Sequence, residues 1–180
     1  LSESALGNDV TPPTVSLTAL GSPDVKGIVN FSGSVNDTNI YMYTLRVIQS
    51  GSYIVKERSG RGNVSSSTLV SLDTTDISDG NYTVNVVAED IAGNLTTSNT
   101  LSISIDNTPP ETFNMTSSPY TTDTTPLLSW QTATDVNSPV TYDVVIDSVT
   151  VSSDQLGTSY QVLTPYVDGV SHTLSIVAKD

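Results

Sequence analysis

The sequence predicts an all-β protein made of two tandem Greek-key β-sandwiches, the second of which lacks its own last strand. Three observations support this prediction. Helix-forming residues are scarce, and Thr, Ser, Val, Asn, Asp and Gly dominate the composition. Eleven Gly and nine Pro separate many short segments in which apolar residues alternate with polar ones. A strand-like pattern that opens at Asp79-Gly80 returns at Asp168-Gly169, which indicates two copies of one module.

Two similar proline-rich joints mark the module boundaries. Residues 9–13 read Asp-Val-Thr-Pro-Pro, and residues 106–110 read Asp-Asn-Thr-Pro-Pro, at a spacing of about 97 residues. Because proline cannot donate a hydrogen bond to a sheet, each Pro-Pro pair suits the entry to an edge strand. We therefore expect one sandwich over 9–106 and a second over 107–180. Residues 1–8 are expected to be the end of a preceding module or a donor strand.

Alternating apolar residues predict seven strands in the first module. Val15 and Leu17 begin the first strand, and residues 28–35 form the second, which buries Val29, Phe31 and Val35. The later strands are expected at 41–47, with Tyr41, Tyr43, Leu45 and Val47 on one face, and at 53–55, 69–72, 82–88 and 101–105.

The second module repeats this plan with different residues. Its predicted strands are marked by Phe113 and Met115, by Leu127, Leu128 and Trp130, by Val140, Tyr142, Val144 and Ile146, by Val149 and Val151, by Tyr160 and Val162, and by Leu174, Ile176 and Ala178. By analogy with the first module, a last strand is expected after Asp180. Either the sequence is cut from a longer tandem array, or a strand from another chain completes the second sandwich.

These residues resemble a known group of modules. Asp-Gly-x-Tyr followed by Val-x-Ala-x-Asp-x-Ala-Gly-Asn, with an Asp-x-Thr-Pro-Pro joint, resembles the bacterial immunoglobulin-like repeats of large surface proteins. The motif consists of Asp79, Gly80, Tyr82, Val86, Ala88, Asp90, Ala92, Gly93 and Asn94. The second module, through 128–130, 134–135 and 141–142, is similar to fibronectin type III modules. The resemblance implies an extracellular, cell-surface setting and work as a stalk, spacer or adhesive arm.

Charge and composition exclude several classes of function. The net charge of −13 and the pI near 4.1 disfavour nucleic acid and anionic lipid as partners. The absence of cysteine excludes disulfides and Cys-ligated metals. No apolar run reaches transmembrane length, so we expect no direct membrane insertion. The expected partners are neighbouring modules of the same chain or identical chains, with a glycan or protein receptor as a further alternative.

Acidic loops suggest calcium as the one predicted cofactor. In a sandwich of this topology, the entry of the first strand, the loop between the second and third strands, and the turn before the last strand gather at one end. Calcium takes six to eight oxygen ligands from carboxylates, amides, carbonyls and water. The predicted ligands are Asp9, Asp37, Asn39 and Asp90 in the first module, and Asp106, Asn107, Asp135, Asn137 and Asp180 in the second. The alternative is that these Asp and Asn residues only shape turns.

The other candidate residues are expected to have structural roles or to carry glycans. Tyr82 stands where a tyrosine corner forms, and His172 takes that place in the second module. Trp130 is expected in the core, with a sugar-stacking platform as the alternative. Six residues lie in Asn-x-Ser/Thr glycosylation sequences, namely Asn30, Asn36, Asn63, Asn81, Asn94 and Asn114.

The predicted function is a non-enzymatic extracellular structural module, such as the stalk or spacer of an adhesin, surface protein or surface filament, with calcium at the module junctions. Two alternatives stay open. The chain is a subunit of a donor-strand-complemented filament, or it is a glycan- or ligand-binding module attached to a secreted protein. No catalytic residue is predicted, because nothing in the sequence places two carboxylates across a cleft.

Overall fold

The computed structural model describes residues 9–180, so the prediction for residues 1–8 lies outside the described part. The described residues form fourteen strands and no helix, which confirms the all-β prediction. The chain divides into two compact units, Leu1–Asn107 and Thr108–Asp180. Among residues 9–180, no helix of the length and apolarity needed to cross a membrane is found.

Nine strands form unit 1. They are β1 (Thr14–Leu17), β2 (Asp24–Val25), β3 (Ile28–Asn36), β4 (Ile40–Gln49), β5 (Tyr53–Gly60), β6 (Val64–Asp73), β7 (Gly80–Asp90), β8 (Leu95–Thr97) and β9 (Leu101–Ile105). One sheet has the order β1-β3-β6, and the other has the order β2-β9-β7-β4-β5, with β8 paired to β7. All pairs are antiparallel except β2 with β9.

The core of unit 1 lies between these two sheets, as the alternating pattern predicts. Phe31 and Val35 of β3 are completely buried, and Val29 is half-buried. The opposite sheet contributes the alternating residues of β4 and β7. The other buried hydrophobic residues are Leu17, Tyr43, Leu45, Val47, Leu69, Val70, Leu72, Ile77, Tyr82, Val84, Val86, Ala88, Ile103 and Ile105.

Tyr41 is an exception to the predicted burial of β4. The ladder between β4 and β7 shifts register between Ile40 and Met42, which is a bulge. The shift turns Tyr41 away from the core, and its side chain is 47% exposed. The Arg61 guanidinium lies 5.6 Å from the centre of the Tyr41 ring, in cation–π contact. Tyr41 therefore lies in the predicted strand but not in the core that Tyr43, Leu45 and Val47 enter.

Five strands form unit 2. They are β10 (Leu127–Ser129), β11 (Thr141–Ile146), β12 (Val149–Gln155), β13 (Ser159–Gln161) and β14 (Leu174–Lys179). One sheet pairs β10 with β13, and the other has the order β12-β11-β14. The predicted strand at Phe113 and Met115 is reduced to a single bridge between Met115 and Trp130.

The core of unit 2 is small and aromatic. Its buried hydrophobic residues are Trp130, Ala133, Tyr142, Val144, Ile146 and Val162. The Tyr142 ring packs edge-on against Phe113 and Trp130, with ring centres 5.6 Å apart in both pairs. Val149 and Val151 lie in β12, as predicted, but Val149 is 62% exposed.

Candidate functional site

Three acidic side chains meet at one end of unit 1. Asp9 precedes β1, Asp37 follows β3, and Asp90 ends β7. One carboxylate oxygen from each lies within 4.8 Å of the other two. The structure thus brings together the three acids that the loop positions single out, and we call Asp9, Asp37 and Asp90 the acidic trio.

Asp90 is the buried member of the acidic trio, with 1% of its surface exposed. It opens a tight turn in which Gly93 has a φ of 88°, a left-handed conformation that glycine adopts without strain. Asn94 closes this turn. Its backbone N–H donates to Asp90 Oδ1 at 2.9 Å, and its side-chain amide donates to Asp90 Oδ2 at 2.8 Å.

These hydrogen bonds keep the Asp90 carboxyl ionised. Burial raises the pKa of this carboxyl, because a charged group is poorly solvated in the interior. The hydrogen bonds from Asn94, and those from the backbone of Ala92 and Gly93, act in the opposite direction and are together stronger. The pKa of Asp90 is therefore lower than its ordinary value, and the carboxylate carries its charge at neutral pH.

Asp37 is fixed by the polar loop that follows β3. Its Oδ1 accepts a hydrogen bond from the Asn39 backbone N–H at 2.8 Å. The Asn63 side chain accepts from the Asp37 backbone N–H at 3.0 Å and donates to the Asp37 carbonyl at 2.8 Å. The Asn39 carbonyl in turn accepts from the Ile91 N–H at 2.9 Å, which connects this loop to the turn after β7.

Asp9 is held in the acidic trio through Asn94. The Asn94 side-chain amide donates to the Asp9 carbonyl at 3.0 Å as well as to Asp90. Asp9 Oδ1 also accepts from the Thr11 N–H at 3.0 Å. Sequence reasoning missed this bridging role of Asn94, although the Asp-x-Ala-Gly-Asn motif contains both ends of the turn.

The geometry of the acidic trio suits a divalent cation. Calcium binds oxygen at roughly 2.3–2.6 Å, so two ligands of one ion lie up to about 5 Å apart. The spacing of up to 4.8 Å between the three carboxylate oxygens is within this limit. Within residues 9–180, no Lys or Arg forms an ion pair with any of the three. A bound cation would neutralise the mutual repulsion of the carboxylates.

Comparison with known proteins relates the unit that carries this site to a known family. Residues 29–107 match the family model described as a bacterial Ig-like domain. Most of unit 1 is therefore similar to a bacterial Ig-like domain. No curated protein matches the chain.

Solved structures resemble the chain in fold. The fibronectin(III)-like modules of CbhA from Clostridium thermocellum are 15% identical, with a TM-score of 0.51 over 92% of this chain and 85% of that chain. This likeness shows the fold alone. The endo-beta-1,4-mannanase from Thermotoga petrophila is 16% identical over 57% of this chain and 21% of its own length. Its TM-score is only 0.39.

The second predicted group of calcium ligands draws on both units. Asp106, in unit 1, is 7% exposed. Asp135 Oδ1 accepts from the backbone N–H groups of Asn137 and Ser138, at 2.8 and 3.1 Å, as in a loop shaped by its own Asp. With Asp180 exposed at the end of β14, this group stays a prediction.

Asn107, another predicted ligand of this group, makes several hydrogen bonds within unit 1. Its side-chain oxygen accepts from the Gly27 N–H at 3.0 Å and the Thr74 hydroxyl at 3.2 Å. Its amide donates to the Thr74 carbonyl at 3.0 Å. These bonds fasten Asn107 to Gly27 and Thr74 at the end of unit 1. Calcium binding by Asn107 stays a prediction.

Tyr82 and His172 occupy similar positions but make different contacts. The Tyr82 hydroxyl donates to the Ser78 carbonyl at 2.7 Å, which is the geometry of a tyrosine corner. His172 Nδ1 instead lies 2.6 Å from Asp147 Oδ2, and its ring stacks on Tyr166 with centres 3.9 Å apart. Sequence reasoning missed Asp147, which lies 25 positions away in the chain.

Asp147 holds the segment before β14. Its Oδ1 accepts from the Thr173 N–H at 2.8 Å and from the Thr173 hydroxyl at 3.1 Å. The hydrogen bond to His172 lowers the pKa of the Asp147 carboxyl, and the Thr173 bonds add to this effect. Among the described residues, no hydroxyl or thiol hydrogen-bonds to the His172 ring, so the pair lacks the nucleophile of a hydrolytic triad.

The structure separates the glycosylation candidates into two groups. The Asn63, Asn94 and Asn114 amides each donate an internal hydrogen bond, and the Asn30 side-chain oxygen accepts one from Ser71. Attachment at Asn94 would displace its bonds within the acidic trio, which disfavours that position. Asn36 and Asn81 are exposed, as are Asn30, Asn63 and Asn114, but their side chains make no hydrogen bond among residues 9–180.

Proposed function

We propose that this chain is a non-enzymatic structural module of an extracellular surface protein, where it acts as a stalk or spacer. We further propose that Ca²⁺ bound by the acidic trio stiffens the entry to unit 1. Bacterial Ig-like and fibronectin III-like domains are generally non-catalytic and are common in surface proteins, which supports the first part. Neighbouring modules or identical chains remain the predicted partners.

The observation that carries the calcium proposal is the convergence of three separate chain segments on one point. Asp9 belongs to the segment that leads through Pro12 and Pro13 into β1, whereas Asp37 and Asp90 belong to loops of the sandwich. An ion shared by the three carboxylates would therefore tie the entering chain to the sandwich. Such a tie resists bending and pulling at the joint, which is the mechanical work expected of a stalk.

Thermal melting of the whole chain, titrated with CaCl₂ against an EDTA control, tests this proposal. A ligand that binds only the folded state at about 100 times its Kd stabilises by about 2.7 kcal/mol. For a chain of this length, that corresponds to a rise in Tm of roughly 5–10 °C. We expect Asp90→Asn and Asp37→Asn to abolish the rise, because each removes one charged ligand.

Asp73→Asn is the matched control. It removes an equally charged, exposed side chain of unit 1 that lies outside the acidic trio and binds Thr75 instead. This variant should keep the full calcium-dependent rise in Tm. An unchanged Tm of the native chain, or an equal rise in the Asp37→Asn and Asp90→Asn variants, would contradict the calcium proposal and leave the stalk proposal standing.

A further inference from the structure

Two irregular segments of unit 2 enclose a cleft that the stalk proposal does not use. Residues 117–124 and residues 166–174 supply most of its lining. Leu128 and Ile146 add apolar surface to it. The volume of about 820 Å³ lies within the roughly 300–1,000 Å³ that is typical of small-molecule sites.

Aromatic rings from both segments line this cleft. Tyr120 is 88% exposed, which is unusual for a large ring and leaves its face open to a ligand. In the second segment, the Tyr166 and His172 rings stack with an interplanar angle of 19°. The bond from His172 to Asp147 holds this stacked pair in one orientation. Rigid aromatic rings of this kind offer large amphipathic contact surfaces at low entropic cost.

The polar lining of the cleft is suited to hydroxyl groups. The Asp168 carboxylate has no hydrogen-bond partner among the described residues, and Asp123 uses only Oδ1, for Thr125. His172 keeps Nε2 free, since only Nδ1 is engaged by Asp147. Carboxylates accept strong hydrogen bonds from ligand O–H groups. Of the described residues that line the cleft, none is Lys or Arg, which disfavours phosphate and other anions.

We propose that this cleft binds a neutral saccharide. The apolar C–H face of a sugar ring would stack on Tyr120, and the hydroxyl groups at its rim would donate to Asp168 and contact His172. The Tyr166–His172 pair would offer a second aromatic contact surface. This site shares no residue with the acidic trio, so it does not depend on the proposed calcium binding. It would add carbohydrate attachment to a module whose first role is mechanical.

Native affinity electrophoresis of the whole chain tests the proposal, with β-glucan, xylan and galactomannan cast separately into the gels. We expect at least one of these neutral polysaccharides to retard the chain. Tyr120→Ala should weaken the apparent affinity about fivefold to tenfold, the size of a lost aromatic contact. Asp168→Asn should weaken it less, because the amide oxygen still accepts a hydrogen bond.

Tyr53→Ala is the matched control, since Tyr53 is 68% exposed but lies in unit 1. This variant should be retarded like the native chain. A proline-rich peptide, titrated while the backbone amides are followed by NMR, represents the competing ligand class for an aromatic groove. The proposal is overturned if no polysaccharide retards the chain, if Tyr120→Ala is retarded equally, or if only the peptide shifts the amides around Tyr120.

Discussion

Unit 1 and unit 2 are both β-sandwiches, but they are stabilised differently. Unit 1 has sixteen buried hydrophobic residues, drawn from both of its sheets. Unit 2 has six, and its interior contains two T-shaped ring pairs, in which Tyr142 contacts Phe113 and Trp130. The comparison teaches that one strand pattern can support either a broad aliphatic core or a small aromatic one. The second type depends on fewer side chains.

The loops of the two units are also held by different contacts. In unit 1, backbone and amide hydrogen bonds shape the acidic trio, and the tyrosine corner at Tyr82 bonds to the nearby Ser78 carbonyl. In unit 2, a long segment before β14 is held by the side chain of Asp147. The loops of unit 1 thus converge on a compact acidic point, whereas those of unit 2 surround an open cleft.

Removal of one large core residue from each unit should have the largest effect. Phe31→Ala and Trp130→Ala each delete a buried ring, and such deletions cost about 3–5 kcal/mol. We expect unit 1 to remain folded, because its many other core residues stay packed. Unit 2 should lose most of its amide protection in β11 and β14, as measured by hydrogen exchange.

Ile28→Ala provides the control for this comparison, since Ile28 lies in the same strand as Phe31 but is 74% exposed. Its effect on the unfolding free energy should stay within about 0.5 kcal/mol. Full protection of β11 and β14 in Trp130→Ala would show that unit 2 does not depend on its aromatic core.

Removal of one tyrosine hydroxyl from each unit should cause an intermediate loss of stability. The Tyr142 hydroxyl accepts from the buried Ala133 N–H at 2.7 Å, so Tyr142→Phe leaves a buried donor without a partner and should cost about 1–3 kcal/mol. Tyr82→Phe removes a donor to the Ser78 carbonyl, which water can reach more easily at the corner, and should cost about 0.5–1.5 kcal/mol. Urea unfolding measures both. A larger loss for Tyr82→Phe than for Tyr142→Phe would reverse this ranking.

The smallest expected effect concerns acid sensitivity. The pKa of Asp147 is below its ordinary value of 3.8, so the folded state binds this proton less readily than the unfolded state. The resulting stability is present above about pH 4 and is lost as the pH falls through the folded-state pKa. Asp147→Asn should therefore flatten the decline in stability of unit 2 between about pH 5 and pH 2, with EDTA present.

The matched variant is Asp168→Asn, which removes a carboxylate of the same unit that makes no hydrogen bond among the described residues. In this variant, the stability of unit 2 should decline with falling pH as it does in the native chain. Urea unfolding at each pH measures this decline. If stability falls with pH at the same slope in the native chain and in Asp147→Asn, the Asp147–His172 contact does not contribute to the acid sensitivity.

Most of the fold could be predicted because its strands alternate cleanly. In β4 and β7, polar and apolar residues follow the period of a half-buried strand, and the burial observed at Leu45, Val47, Val84 and Val86 follows it as well. The bulge that exposes Tyr41 could not be predicted, since it depends on the register of β4 against β7. Likewise, Phe113 and Met115 alternate like a strand, yet only Met115 pairs with Trp130.

The candidate site was only partly predictable. Sandwich topology alone brings Asp9, Asp37 and Asp90 to one end, so their loop positions suffice to group them. The amide bonds of Asn94 depend on the turn conformation at Gly93, and the contact of Asp147 with His172 joins two loops distant in sequence. Neither contact can be recognised in the sequence from residue types or their spacing. The cleft beside Tyr120 was missed for the same reason, because it arises from how two irregular segments fold.

The most direct test of the calcium-stiffened module is a crystal structure of the chain grown with CaCl₂, with anomalous scattering used to locate the ion. We expect one calcium ion with a carboxylate oxygen from each of Asp9, Asp37 and Asp90 at about 2.3–2.6 Å. The account would be contradicted if only water lay between the three carboxylates at a calcium concentration that saturates the melting titration.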